Sequence, residues 1–321
     1  MTESIFPKIQ QIKAAIHTVI VGQSRTTDLL LTALLAGGHV LLEDVPGTGK
    51  TMLAKTIAAA MELDFSRIQF TPDLLPSDVT GLNYYNQKSG EFQLRKGPVF
   101  THLLLADEIN RATPRTQSSL LEAMEERQVT IDGETCPLKA PFFVIATQNP
   151  VETAGTFPLP EAQMDRFLMQ LSMGYPNKAE ELQILDRFRR ENPLSSCTPV
   201  CTAQELLQLQ KAAQQVYLHP DLESYLVDLI QATRSHRQLI CGASPRSTLA
   251  LGRAVCAYAM VKGRDYVVPE DIKELAVPVL AHRLIPARSV NQRISSKELL
   301  TELLQTLPLP TEDWHRKGSR P

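Results

Sequence analysis

The chain has no surplus charge of either sign. Its 33 Lys and Arg face 35 Asp and Glu over 321 residues, a net charge of -2. That balance removes the electrostatic ground for bulk nucleic-acid binding, though not for a local basic stripe. Paired cysteines are missing too. The five present (Cys136, Cys197, Cys201, Cys241 and Cys256) are an odd number in a chain too large to need staples. The Cys197–Cys201 stretch has no second cysteine pair and no paired histidines to complete a zinc shell. Reduced thiols in a cytosolic protein are therefore expected. There is no long hydrophobic run: the longest, Leu29 to Leu42, is too short for a bilayer and is broken by Gly37, Gly38 and His39. The opening residues carry no basic stretch ahead of an apolar core, so no secretory leader is expected. Internal repeats and low-complexity segments are absent from the sequence. The expectation is a soluble, cytoplasmic protein.

What is present is ordinary globular chemistry, 43% hydrophobic and long enough for two domains. Ile5 to Val19 repeats apolar residues at helical spacing, and Thr26 to Leu35 reads as a second helix stopped by Gly37-Gly38. Buried strands are expected at His39–Glu43, His102–Ala106 and Phe142–Ala146, with a helix from Lys50 to about Met61. Strands separated by helical stretches argue for a parallel sheet with ligands at its carboxyl edge. Two hairpins interrupt that pattern: Leu82–Asn86 with Glu91–Arg95 around Ser89-Gly90, and Gln128–Ile131 leading into Asp132-Gly133. Past residue 185 the pattern changes. Glu191 to Ser196 reads as a polar linker, followed by helices over Ala203–Val216, Asp221–Ser235, Pro245–Lys262 and Pro269–His282. The expected division is an α/β nucleotide-binding core over 1–187, a mostly α-helical domain over 195–308 and a loose tail over 309–321.

The strongest chemical signal is Glu43-Asp-Val-Pro-Gly-Thr-Gly-Lys-Thr51, set between a strand and a helix. A triphosphate needs several backbone N–H groups pointing inward, which demands small residues and a helix N-terminus behind them. Gly47 and Gly49 supply the close approach, Lys50 the reach to the β/γ-phosphates, and the Thr51 hydroxyl a ligand for Mg²⁺. Asp44 stands where this motif begins with glycine, and aspartate tolerates a left-handed backbone better than most residues. Leu103 to Glu108 ends a buried strand in two acids, expensive unless they meet a cation. Asp107 would hold Mg²⁺ with Thr51, and Glu108 would polarise the attacking water. Asn149, at the end of the next strand, is placed to orient that water or sense the γ-phosphate; the competing reading is an Asx turn.

The order LLEDVPGTGKT, LLLADEINRA, VIATQNP, LPEAQMDRF and GASPRS resembles the MoxR group of AAA+ ATPases over roughly Ile5 to Ile285. The resemblance implies a P-loop NTPase core with hairpin insertions and a helical lid domain, binding ATP and Mg²⁺. It places Pro46, Gly47, Thr48, Gly49, Lys50, Thr51 and Met52 around the phosphates and Val21, Gly22 and Gln23 along the adenine edge. Asn149 matches the first sensor and Arg246, on a lid helix, the second. Arg166 sits where an arginine finger is expected, with Arg111 and Arg115 as competitors. A finger donated by a neighbouring subunit requires a ring, so a homo-oligomer, a hexamer, is implied. So are chaperone-like remodelling or metal-cofactor insertion, and a protein client carrying a von Willebrand factor A-type domain. Nucleic acid is not an expected partner.

Alternatives stay open at this point: a nucleotide-gated scaffold with negligible turnover, or a magnesium-chelatase-like or helicase-like motor. Tyr84 and Tyr85 either grip a polypeptide near a pore or pack against the core. The arginines between His282 and Arg293 are expected on a solvated or subunit-facing surface.

Overall fold

The computed structural model describes residues 5–45, 47–150, 155–190, 192–287 and 295–310. The N-terminal part begins with α1 (Ile5–Val19) and α2 (Ser24–Leu35), then β1 (Val40–Glu43), α3 (Lys50–Ala60), β2 (Phe65–Gln69) and the short α4 (Pro76–Thr80). A hairpin of β3 (Gly81–Asn86) and β4 (Glu91–Lys96) follows, then β5 (Leu103–Asp107) and α5 (Pro114–Glu126). A second hairpin, β6 (Gln128–Ile131) with β7 (Glu134–Pro137), precedes β8 (Phe143–Gln148), α6 (Glu161–Met164) and β9 (Met169–Leu171). From there the chain is mainly helical: α7 (Lys178–Arg190), α8 (Ala203–Ala213), α9 (Pro220–Ser235), α10 (Pro245–Val261), α11 (Pro269–Leu280) and α12 (Ser296–Thr306). The exception is a small antiparallel pair, β10 (Leu239–Cys241) and β11 (Ile285–Pro286).

Five strands form one parallel sheet in the order β2-β5-β8-β1-β9. Its central strands are apolar on both faces, as a parallel sheet covered twice requires. Val40, Leu42, Leu103, Leu105, Phe143 and Ile145 face one apolar cluster, which takes in α1, α2, α3 and continues into the C-terminal helices. Leu41, Leu104, Ala106, Val144 and Ala146 face a second cluster with α5 and the two hairpins. The sheet thus separates a side shared with the helical domain from a side carrying the hairpins. The fold expected from the sequence, an α/β P-loop core followed by helices, is the one observed.

Two strands went unexpected. β2 reads Phe-Ser-Arg-Ile-Gln, with only Ile68 fully buried, and β9 is three residues long. The polar linker is more structured than its composition indicated: Pro193–Ser196 form a 3-10 turn with Pro193 buried. Tyr84 and Tyr85 do not pack into the core. They are 42% and 55% exposed, and Phe92, stacked edge-on against Tyr85, is 74% exposed. Arg283 departs furthest from expectation. Its side chain is 3% exposed and ion-paired to Asp165, not spread on a surface; Arg288 and Arg293 lie outside the described residues. The five cysteines form no disulfide, and burial pushes the Cys201 and Cys256 thiols up to about 11. No described helix is long and apolar enough to cross a membrane.

Candidate functional site

The carboxyl ends of β1, β5 and β8 lie side by side, and the chemistry-bearing residues follow directly from them. β1 ends at Glu43, whose carboxylate accepts from Gln148 of β8 (3.0 Å) and Gln170 of β9 (2.8 Å), locking three strand ends together. The phosphate loop follows. Gly47 and Gly49 adopt φ of 85° and 90°, a backbone that side-chained residues rarely take, and Gly49 is the residue before α3. Lys50 is turned back on its own loop, donating to the carbonyls of Asp44 (2.9 Å) and Val45 (3.1 Å). Thr51 and Met52 occupy the first turn of α3, and the Thr48 hydroxyl donates to Val45 O at 3.4 Å. Pro46 lies outside the described residues.

Asp44 is not left-handed, unlike the reading its glycine-like position invited. It is buried, and its carboxylate accepts from the amides of Val45 (3.1 Å), Met173 (2.7 Å) and Gly174 (3.1 Å). It clips the segment leaving β9 to the phosphate loop. The Gln23 amide reaches Met173 O at 3.2 Å, so Val21-Gly22-Gln23 is brought beside that loop as well. Gly22 has φ 74°, a backbone that strains any side-chained residue, and a Cβ there would also have to push the Glu180 carboxyl end of α7 aside.

Asp107 and Glu108 end β5 under tight control. Asp107 Oδ1 accepts from the Thr147 hydroxyl at 2.6 Å, and Oδ2 from Arg67 Nη2 at 2.7 Å. Glu108 has φ 56°, a conformation that strains a non-glycine residue and is typical of functional turns. Its amide donates to Thr147 Oγ1 at 2.9 Å. Its carboxylate accepts from Gln69 at 2.8 Å and pairs with Arg111 at 3.1 Å. Arg67, Gln69 and Thr147 were not anticipated. β2 runs beside β5 with Gln69 opposite Asp107, a register only the sheet supplies. Asn149 follows β8 directly and is half-buried.

This donor set fits Mg²⁺. A carboxylate and a hydroxyl are the hard oxygen ligands that ion takes, and Asp107 Oδ2 is held here by a cation, the Arg67 guanidinium.

Arg166 and Arg246 are placed together but elsewhere. Arg166 Nε lies 3.0 Å from Glu125, Arg246 pairs with the other oxygen of the same carboxylate, and Arg246 Nη1 is 3.8 Å from Asp165. Glu125 ends α5, and Asp165 and Arg166 precede β9, whose first residue Met169 pairs with Val40 at the start of β1. This cluster is at the amino edge of the sheet, opposite the phosphate loop. Arg111 stays beside its own Glu108, and Arg115 is exposed at the start of α5.

A parallel sheet with a glycine-rich phosphate loop after β1, paired acids after the strand two places away, and a helical domain behind defines an AAA+-type P-loop NTPase. A profile of the ATPase family associated with various cellular activities matches residues 39–169, and an AAA lid domain profile matches residues 231–303. The chain is 47% identical to the uncharacterised protein YeaC of Bacillus subtilis over 97% of both chains. It is 43% identical to Chaperone MoxR1 of Mycobacterium tuberculosis, over 96% of this chain and 85% of that one. A crystal structure from Cytophaga hutchinsonii, whose protein is assigned as an ATPase, superposes with a TM-score of 0.91 at 41% identity over 97% of both. The chain belongs to the MoxR family of AAA+ ATPases.

Proposed function

We propose that this protein is an Mg²⁺-dependent ATP hydrolase that works as a hexameric ring and remodels or activates a protein client. One observation carries the ring: Lys50, Asp107 and Glu108 stand at the carboxyl edge of the sheet, while Arg166 and Arg246 stand at its amino edge. This separation supports a site in which Arg166 and Arg246 serve a neighbour's phosphates and not those of their own chain. A head-to-tail contact repeated around a closed ring unites them, Arg166 as the finger and Arg246 as a second arginine, both acting on the neighbour's nucleotide.

In this reading Lys50 leaves the Asp44 and Val45 carbonyls for the β/γ-phosphates, and the amides of Gly47 to Lys50 cradle the same oxygens. Val21, Gly22 and Gln23 border the base. Thr51 and Asp107 would hold Mg²⁺, which would neutralise phosphate charge when bound. Glu108 draws the proton from the attacking water, Asn149 orients that water, and the partner arginine answers the charge on the transferring phosphoryl group. The exposed aromatics Tyr84, Tyr85 and Phe92 on one hairpin provide the client contact. A von Willebrand factor A-domain protein is the client class that kinship with the MoxR group makes first to try.

Steady-state turnover tests the reading. Glu108→Gln should lose ~10²–10⁴ in rate, the worth of a positioned general base, while still binding ATP and sedimenting as a hexamer with it. Equal rates for wild type and variant, over a range of protein concentrations and with candidate clients added, would rule out hydrolysis. A monomer under those conditions would rule out the ring.

A further inference from the structure

Arg283 is a buried cation with no part in the chemistry described so far. It follows α11, in a 3-10 turn over Ala281–Arg283, and its side chain is 3% exposed. Its Nη2 donates to Phe167 O at 2.8 Å and to Asp165 O at 3.5 Å, and its Nε donates to His282 Nε2 at 3.3 Å while forming an ion pair with Asp165 Oδ1 at 3.3 Å. His282 Nε2 is 3.1 Å from the same Phe167 carbonyl. Burial drives the His282 pKa down to about 3, so the ring beside Arg283 is neutral and adds no second positive charge there. Between these anchor points stands Arg166, flanked on both sides by residues that Arg283 holds.

We propose that Arg283 is a positioning residue for Arg166: it fixes the loop carrying the trans-acting arginine to the end of lid helix α11. This rests on reading Arg166 as the finger. The argument is geometric. A loop of four residues between α6 and β9 has little internal stiffness, and a long arginine side chain must be delivered to a phosphate in another subunit. Arg283 restrains the loop at the side chain before Arg166 and the carbonyl after it. A guanidinium suits this task because its planar fork meets the Asp165 and Phe167 carbonyls and the Asp165 carboxylate charge in fixed directions, which a point-charge ammonium does less well. The consequence is that displacement of α11 displaces Arg166. Each subunit's lid therefore sets the reach of its finger into the neighbouring site.

The test separates an effect delivered in trans from damage to the variant's own fold. Arg283→Gln should lower kcat by ~10²-fold, the cost of misplacing a reacting group by about 1 Å, and leave affinity for a fluorescent ATP analogue unchanged. Mixed with Glu108→Gln subunits, which cannot hydrolyse but still carry a well-placed Arg166, Arg283→Gln subunits should recover turnover. Added to Arg166→Ala, the Arg283→Gln change should cause no further loss. Arg283→Lys, which keeps the charge and is gentler on folding, should lose kcat and be rescued in the same way. Rescue of Arg166→Ala by Glu108→Gln without rescue of either Arg283 variant would overturn the inference. If Arg166→Ala is not rescued either, the finger reading itself falls and takes this inference with it.

Discussion

At the scale of single residues, the site is held by guanidinium, amide and hydroxyl donors from the neighbouring strands and the turn after β5. Asp107 accepts from Arg67 and Thr147, and Glu108 from Gln69 and Arg111. Asp107 is thus already occupied by a positive charge, which the proposed Mg²⁺ would have to displace. Arg67→Gln is expected to lower the Mg²⁺ concentration needed for nucleotide binding by about 2- to 5-fold, the worth of a partly exposed ion pair. Titrating Mg²⁺ against a fluorescent ATP analogue measures it, and weaker binding in the variant would instead make Arg67 a ligand-holding residue. Glu108 takes a left-handed backbone, and from that turn its carboxylate meets Gln69 and Arg111.

At the scale of elements, His39 joins three of them. It precedes β1, its Nε2 faces Met124 O of α5 at 3.1 Å, and its Nδ1 accepts from the Val144 amide of β8 at 3.0 Å. Burial, helped by the Arg127 charge, lowers its pKa to about 3. The unfolded chain, with histidine near 6.5, binds the proton first. Stability from neutral His39 and His282 is therefore complete above pH 6.5 and is lost as pH falls from there toward 3. Melting temperature should drop across that window, and His39→Gln should flatten the slope. An unchanged slope would show that His39 does not carry the effect.

The elements also show what the sequence can reveal. The phosphate loop and the paired acids are local: their residues are neighbours in the chain, so spacing alone finds them. Arg67 and Gln69 act across a strand register, and their segment lacks the apolar run that marks a buried strand. α7 repeats Leu182, Leu185 and Phe188 at helical spacing yet leaves them more than 45% exposed, an apolar stripe legible in the sequence that meets no core in this chain. Arg283 sits in a stretch of arginines without acids, and its partner Asp165 is 118 residues away in the chain. Burial of that charge is decided by tertiary structure, so composition pointed to a surface.

At the scale of the whole molecule, the helical domain is joined to the first helices by one shared apolar cluster and a buried acid. Asp28 of α2, its side chain 8% exposed, is ion-paired with Lys13 of α1 at 2.7 Å and accepts a hydrogen bond from Lys262 after α10 at 2.8 Å. Asp28→Asn should cost about 1.5–3 kcal/mol, the range for hydrogen bonds to charged groups. A lower urea midpoint and faster amide exchange in α10 would register it, and an unaltered midpoint would mean the two lysines find other partners.

The two sides of the sheet also meet around its amino edge, where Arg246 and Arg283 from the helical domain touch Glu125 and Asp165. An apolar core resists sliding because every shift opens voids, whereas ion pairs at a rim re-form after a small displacement. At this edge the contacts tolerate small displacements, while the shared apolar cluster resists them. Added salt loosens the exposed members of the edge, Arg246 and Glu125, while sparing the buried rivet at Arg283.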